Sequence, residues 1–504
     1  MTLKATVFSA SALIFMAQAS QADVTAQDIW NDWRTYWTGF GYTVTGDETM
    51  SGNTLSVSGV DLMIPIDDDG QSAKLTFSAI DFVENADGTV SMSFPDNIPL
   101  TFMMAPPGEP KIEGALSLST DNFQMTASGA PSEITYDYSA DAIGVALTDL
   151  TVGGDTLGPD MLTLAMTASD LAGTSLMTAG ALRGVEQSMT LGKLDYTIAF
   201  QDPESDEMFS LQNSVASLGF EGITQVPPMT DMQDMGKALK DGFAVDGIFT
   251  YTGGASEFAS TLDGSDTSGT SSSGSGQVSV KMDKQALTYS GSVLQIALDM
   301  VSSDLPLPVS GEFGEIGFIM MIPVAQNEAP SDFAFGLALR DFATSDMIWS
   351  LLDPAQVLPR DPATIAINLT GKVKVLFDIF DPEAGAAFQG DQPAELHALT
   401  LGDLLISAAG ATLTGTGAAT FDNTDLESFG GIPKPTGGIE LELTGGNVLM
   451  ENLVQMGLLP QEQVMGARMM MGLFTRPGAT PDSITTKVEI NEAGHILANG
   501  QRIQ

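Results

Sequence analysis

The sequence predicts a mainly β protein: long, curved antiparallel sheets with a few short helices packed on them. Three observations predict it. Apolar residues alternate with Ser, Thr and Asp over run after run, the pattern of a strand with one covered and one wet face. Turn signals such as Asp87-Gly88 separate the runs. Helical periodicity is confined to a few short segments. Apolar residues make up 43% and charged residues 16%, which supports a packed chain rather than a disordered one.

Residues 1–22 read as a signal peptide. Lys4 supplies a positive charge, Ala5 to Ala17 form an apolar run, and Ser20-Gln21-Ala22 has the small-x-small form of a cleavage site. Cleavage between Ala22 and Asp23 is expected, with a periplasmic address. The run of about 13 residues falls short of the roughly 20 that a spanning helix needs. The chain has no cysteine, so neither a lipid-bearing cysteine nor a disulfide is available.

The processed chain opens on an amphipathic helix. Thr25 and Asp28 form a capping-box pattern. Ile29, Trp30, Trp33, Tyr36, Trp37 and Phe40 share one arc, and Asn31, Asp32, Thr35 and Thr38 are expected to face away. Alternation then takes over: Leu55 and Val57; Val90, Met92 and Phe94; Ile134, Tyr136 and Tyr138; Leu162, Leu164 and Met166; Leu194, Tyr196, Ile198 and Phe200. Thr230 to Asp241 reads as a second helix, between Pro227-Pro228 and Gly242. Residues 263–276, rich in Ser and Gly, suit a linker or an exposed hairpin, and continued patterning on both sides favours the hairpin.

Two regions are expected after the signal peptide: 23–229, and 230–504 with Met-rich C-terminal helices. A duplication is one reading, since both begin with a helix running into Gly-Phe. Glu133 to Tyr138 also echoes Gln277 to Met282. Ser345 is placed to cap a third helix that stops at Asp353-Pro354. Asn447 to Phe474 reads as two helical pieces hinged at Pro460, and Ile484 to Ile503 as a hairpin turned near Asn491–Gly494.

Chemistry is harder to find. Only His397 and His495 offer an imidazole, each in an ordinary strand or turn context, and no G-x-S-x-G elbow occurs. No catalytic residue, cofactor or metal site is assigned. The acidic turns at Asp67-Asp68-Asp69-Gly70 and Asp263-Gly264-Ser265-Asp266 lack the spacing of a calcium loop. None of the Gly-Lys pairs continues as a phosphate-binding loop. Net charge is −45, with no Lys/Arg cluster to meet phosphate, which counts against nucleic acid or an anionic membrane as a partner. Arg360, set between Asp353 and Asp361, reads most simply as part of a structural ion pair.

What remains is apolar surface. The tryptophan helix is expected to cover a sheet. The Met-rich stretch reads more simply as core, and otherwise as a surface for varied apolar ligands. Met456, Met465, Met469 and Met470 are its candidate ligand-binding residues.

Several segments carry a resemblance: Asp28-Ile29-Trp30-Asn31-Asp32-Trp33, Asp346 to Pro354, Leu358 to Thr364, and Asn499-Gly500-Gln501-Arg502-Ile503. With the signal segment, they resemble a family of uncharacterised exported alphaproteobacterial proteins of about 500 residues, a domain of unknown function. The resemblance implies export and supplies no catalytic residues. The expected function is a non-catalytic periplasmic protein that holds an apolar small molecule or lipid. A structural or envelope-assembly factor is the alternative, followed by an outer-membrane barrel or a hydrolase.

Overall fold

In the computed structural model, residues 23–66, 71–105, 108–158, 160–202, 204–231, 234–380 and 393–504 are described. Asp23 is exposed, whereas Ala22 and the Asp67–Gly70 turn lie outside the described residues. The protein is mainly β, with one antiparallel sheet of 25 strands and five short helices among the described residues.

The sheet starts as a branched N-terminal region. β1 (Thr43–Ser51) pairs with β2 (Thr54–Pro65), and β2 with β3 (Ser72–Glu84). β3 then meets two partners, β4 (Val90–Ser93) and β5 (Asn97–Met104). These lead through β7 (Gln124–Ala130) and β6 (Ile112–Asp121) respectively to β8 (Glu133–Val152), which also carries the short β9 (Asp155–Leu157).

Beyond β8 the chain is a simple meander. β10 (Leu162–Thr178), β11 (Arg183–Gln201), β12 (Met208–Val226), β13 (Ala244–Leu262), β14 (Ser265–Met282) and β15 (Ala286–Ser302) each pair with the next. β16 (Val309–Pro323), β17 (Ser331–Thr344), β18 (Ala363–Val375), β19 (Ala394–Ala408), β20 (Ala411–Asp422) and β21 (Lys434–Thr444) continue it. β22 (Arg476–Pro477), β23 (Ser483–Ile490), β24 (Ile496–Ala498) and β25 (Gln501–Arg502) close the chain. β12 and β13 pair from Met208↔Thr261 to Gln225↔Ala244, so the sheet is continuous across residue 230.

Residues 263–276 are not a linker. Asp263 and Gly264 form the turn, both with positive φ, 51° and 78°, as a two-residue hairpin of this hand requires. The Ser/Gly run beyond them is the first part of β14. Small residues suffice there because the ladder to β13 and β15 supplies the hydrogen bonds.

A crease crosses the long strands. Asn122, Asp170, Ser217, Gln295 and Asp341 have φ of 49°, 53°, 50°, 53° and 55°. Gly253, with φ 75°, lies in the same transverse row. Between them come Gly192, Gly274 and Gly314. A Cβ at Gly192 would come 2.5 Å from the Asp170 carboxylate, and one at Gly314 would come 2.8 Å from that of Asp341. The side chain of Gln295 fills the equivalent space at Gly274. Each left-handed residue puts two consecutive side chains on one face, so the alternation slips by one. In β10, Ala168 and Leu171, three residues apart and flanking Asp170, are both buried.

The chain exposes 28948 Å² at 52.7 kDa, whereas a compact monomer of that mass exposes roughly 18,000 Å². Full exposure of every undescribed residue would not supply the difference. Most of the sheet therefore has no second layer.

The larger packed core lies under α1 (Ala26–Gly39). Its capping box is formed in full by Thr25 and Asp28. Ile29, Trp30 and Trp33 pack onto Leu55, Val57, Ile80, Phe82 and Tyr136. The expectation that Asp32 faces away is overturned. Its side chain is 8% exposed and pairs with Arg183 of β11, while the Tyr136 hydroxyl donates to it at 3.0 Å. Arg183 is far off in sequence, and only the register of β11 delivers it.

The second helix, α2 (Met235–Lys240), is shorter than the expected 230–241 and is capped by Asp234. Ala238, Leu239 and Phe243 join Val324 in a small second core. The two proposed repeats occupy unlike places: α1 precedes an edge strand and α2 a central one. Residues 133–138 open β8, whereas 277–282 end β14. At the far end of the strands sit α3 (Asp346–Leu352), α4 (Gly446–Gln455) and α5 (Gln461–Phe474). Ser345 precedes α3 without a side-chain capping bond.

Candidate apolar ligand-binding face

Register turns the alternating pattern into one surface. Directly paired residues point to the same face of a sheet. Tyr138, Gly173, Met189, Phe220, Phe249 and Val278 are successive partners, followed by Gly291, Phe318, Leu337, Ile367, Leu404, Gly415 and Leu441. This row crosses thirteen strands from β8 to β21 without a polar side chain beyond the Tyr138 hydroxyl. At about 4.8 Å per strand it runs for roughly 60 Å.

The glycines in it are not gaps. The Tyr138 ring lies over Gly173, the Phe318 ring over Gly291, and Leu441 over Gly415. A parallel row runs beside it: Tyr251, Gly276, Val293, Ile316, Leu339, Ile365, Ile406, Leu413, Leu443 and Ile484.

Much of this surface is open. Phe249 is 56% exposed, Phe335 46% and Ile365 47%; Val278, Tyr289, Phe318 and Ile406 are also exposed. Ring pairs reinforce it, with Phe220–Phe249 centroids 4.5 Å apart and Tyr289–Phe318 4.9 Å. Near its C-terminal end, Leu399, Leu401, Ile439, Val488 and Ile490 line a cleft of about 220 Å³ that is almost wholly apolar. Asn213, facing Tyr196 and Ser256, holds a buried Oδ1 with no partner.

The opposite face is polar. Its shallow depressions are lined by groups such as Asp195, Gln212, Glu257 and Asp299 in one place, and Glu315, Arg340, Asn368 and Asp403 in another. Ion pairs tie neighbouring strands there, as Lys281–Asp246 at 2.8 Å. No group of three or more metal-ligating side chains is present among the described residues.

The methionine candidates lie on the helices rather than on the sheet. Met465, Met469 and Met470 of α5 are 59%, 69% and 53% exposed, and Met456 after α4 is half-buried. The reading of this stretch as core is corrected, since only Val464 of α5 is buried. α4 starts against the sheet row, because a Cβ at Gly446 would meet the Leu443 side chain at 2.7 Å.

The other singled-out residues occupy structural positions, with the buried Arg360 Nη2 and His397 Nε2 making no hydrogen bond. Arg360 forms the expected ion pair, with Asp346 of α3, and lies 6.0 Å from the Trp349 ring. Asp353 is fully buried and accepts the N–H groups of Val357 and Leu358 at 3.1 and 2.8 Å. Burial opposes its charge, but these bonds and Arg360 win and hold its carboxyl below the usual range. His397 is the extra residue of a bulge in β19, 3.5 Å from Glu395. His495 is part of a turn, its N–H donating to Asn491.

No protein-family model, curated protein or solved structure matches this chain.

Proposed function

We propose that the protein is a non-catalytic carrier, exported to the periplasm by residues 1–22, that holds the acyl chains of a lipid on its apolar sheet face. The thirteen-strand row from Tyr138 to Leu441 carries this reading. Burying an exposed Phe or Leu side chain is worth about 1.5–3 kcal/mol, and each buried methylene about 0.8 kcal/mol. An uncovered row of such residues favours an apolar occupant. Acyl chains fit because they are long, narrow and need no polar partner along their length. A second copy fits poorly: each chain carries −45, and face-to-face stacking would bring those charges together.

A membrane-spanning barrel has no edges. Among the described residues, β1 pairs with β2 and β25 with β24, and no pairing joins the two ends. The test is native mass spectrometry and solvent extraction of protein purified from the cell envelope, followed by uptake of an environment-sensitive apolar dye. Co-purifying lipid, and dye uptake lost in Phe318→Glu/Leu337→Glu, is the expected result. Absence of both lipid and dye uptake overturns the proposal.

A further inference from the structure

The helices at the two ends of the strands are built in opposite senses. α1 and α2 bury their apolar residues against the sheet, with Ile29 and Trp30 at 0% and 1% exposure and Leu239 at 3%. At the other end, α3 exposes Met347, Leu351 and Leu352, and α5 exposes Met465, Met469, Met470 and Leu473. In α5 these four span an arc of about 140° at 100° per residue, and Val464 on the opposite side is the buried one. The helix is amphipathic with its apolar side turned outward.

The surroundings say what this end meets. The second apolar row of the sheet runs through Ile365, Ile406, Leu413 and Leu443 to the start of α4, so the face and the helical end are continuous. Charge on these helices is low and partly paired: Asp346 pairs with Arg360 and Glu451 with Arg468, leaving Glu462 as the remaining acid of the three helices. α3, α4 and α5 contain one basic residue, Arg468, which is paired with Glu451, so they offer no basic cluster to anionic lipid. Elsewhere the chain is strongly acidic.

We infer that α3 and α5 dock this end of the sheet on a zwitterionic bilayer, Met469 and Leu473 entering the interface, so that lipid passes between the membrane and the apolar face. The inference rests on the carrier reading for its purpose, but not for the docking itself. Methionine suits the task because its flexible, polarisable side chain adapts to a fluid apolar surface.

Co-flotation of the full-length gene product, as purified from cells, with phosphatidylcholine vesicles tests it. The protein is expected to float. Met469→Glu/Leu473→Glu should weaken binding at least tenfold, and Met469→Leu should preserve it. No flotation, or flotation untouched by the double substitution, overturns the inference. So does sedimentation showing a dimer that the double substitution dissociates, which would make the patch a contact between copies. Phe318→Glu/Leu337→Glu separates the two readings: it should still float while failing to take up dye. If the unsubstituted protein floats through this patch but takes up neither dye nor lipid, the carrier reading fails and the docking stands.

Discussion

Replacing Arg183 with Leu should detach the tryptophan helix from the sheet, and more so at neutral than at acidic pH. The Asp32–Arg183 pair is nearly dry, with side-chain exposures of 8% and 15%. Removing one partner of a buried pair costs about 3–5 kcal/mol, because the other charge is left without compensation. Against that, Ile29, Trp30 and Trp33 each contribute about 1.5–3 kcal/mol by burial. The loss is therefore comparable to the docking energy itself. At about 1.4 kcal/mol per factor of ten, the docking equilibrium should fall by two to four powers of ten.

The pH dependence follows from the carboxyl. Burial raises the pKa of Asp32, and Arg183 opposes that rise. Arg183→Leu removes the opposing charge, so the folded-state pKa moves further above the unfolded one. A carboxyl so raised binds its proton first in the folded state, and stability grows as pH falls through that folded value. The penalty of the substitution should thus be largest near pH 7 and shrink on acidification. Asp32→Asn should cost less, since Arg183 keeps its bond to the Asp32 carbonyl at 3.3 Å and its place over the Tyr36 ring. Hydrogen exchange of residues 26–39 reads the detachment directly, and fluorescence reports it because three of the four tryptophans are in α1. An Arg183→Leu protein with native α1 protection at pH 7, or a penalty that ignores pH, would refute this reasoning.

Three further outcomes are expected. Gly192→Val should destabilise β10 and β11 by about 1–3 kcal/mol through overpacking against Asp170, measurable as a lower denaturant midpoint, whereas Asp170→Gly should be tolerated. Asp482 accepts the N–H groups of Asn447 and Val448 at 3.2 and 3.1 Å and is held below its usual pKa, most by the Val448 bond against the opposing effect of burial. Its stabilisation of the α4 start is present above the unfolded carboxylate value and lost as pH falls through the folded one, so α4 should gain exchange below about pH 4, and Asp482→Asn should flatten that response. Asp353→Ala leaves the Val357 and Leu358 N–H groups without their acceptor and should raise exchange in residues 354–360 while leaving α1 unchanged.

How much of this was legible beforehand depends on the range of the interaction. Alternation in Leu194–Phe200 or Ile134–Tyr138 reports the local pleat, and those segments are strands. The α1 capping box is equally local and is present. Position on the helix alone points Asp32 outward, yet its direction is settled by Arg183, 151 residues away. The crease escaped because its left-handed residues are Asp, Asn, Ser and Gln rather than glycine alone, and because a slip of one residue looks like the end of a pattern. Its trace was there in β11, where Val185, Met189 and Leu191 give way to Leu194, Tyr196 and Ile198. The apolar face is invisible in sequence for a related reason: each Phe or Leu is ordinary within its own strand, and only register lines them up. The methionines stood out through composition, but composition does not say whether a helix turns its apolar side in or out.

A sheet with so little cover must stay folded mainly through its neighbours. Each long strand between β10 and β15 is paired along nearly its full length on both sides, so stability there approximates a sum of strand-to-strand terms. Around α1 a packed core adds a cooperative contribution that the middle of the sheet lacks. An occupant of the apolar face would stabilise mainly that middle, by about 2.7 kcal/mol when its free concentration is a hundred times Kd. Delipidation should therefore act unevenly. Protection in β13–β20 should fall while protection in residues 26–39 holds, since α1 rests on contacts that the occupant does not touch. A uniform loss across the chain would mean instead that the extraction harmed the fold, and an unchanged profile would mean that the face carries nothing.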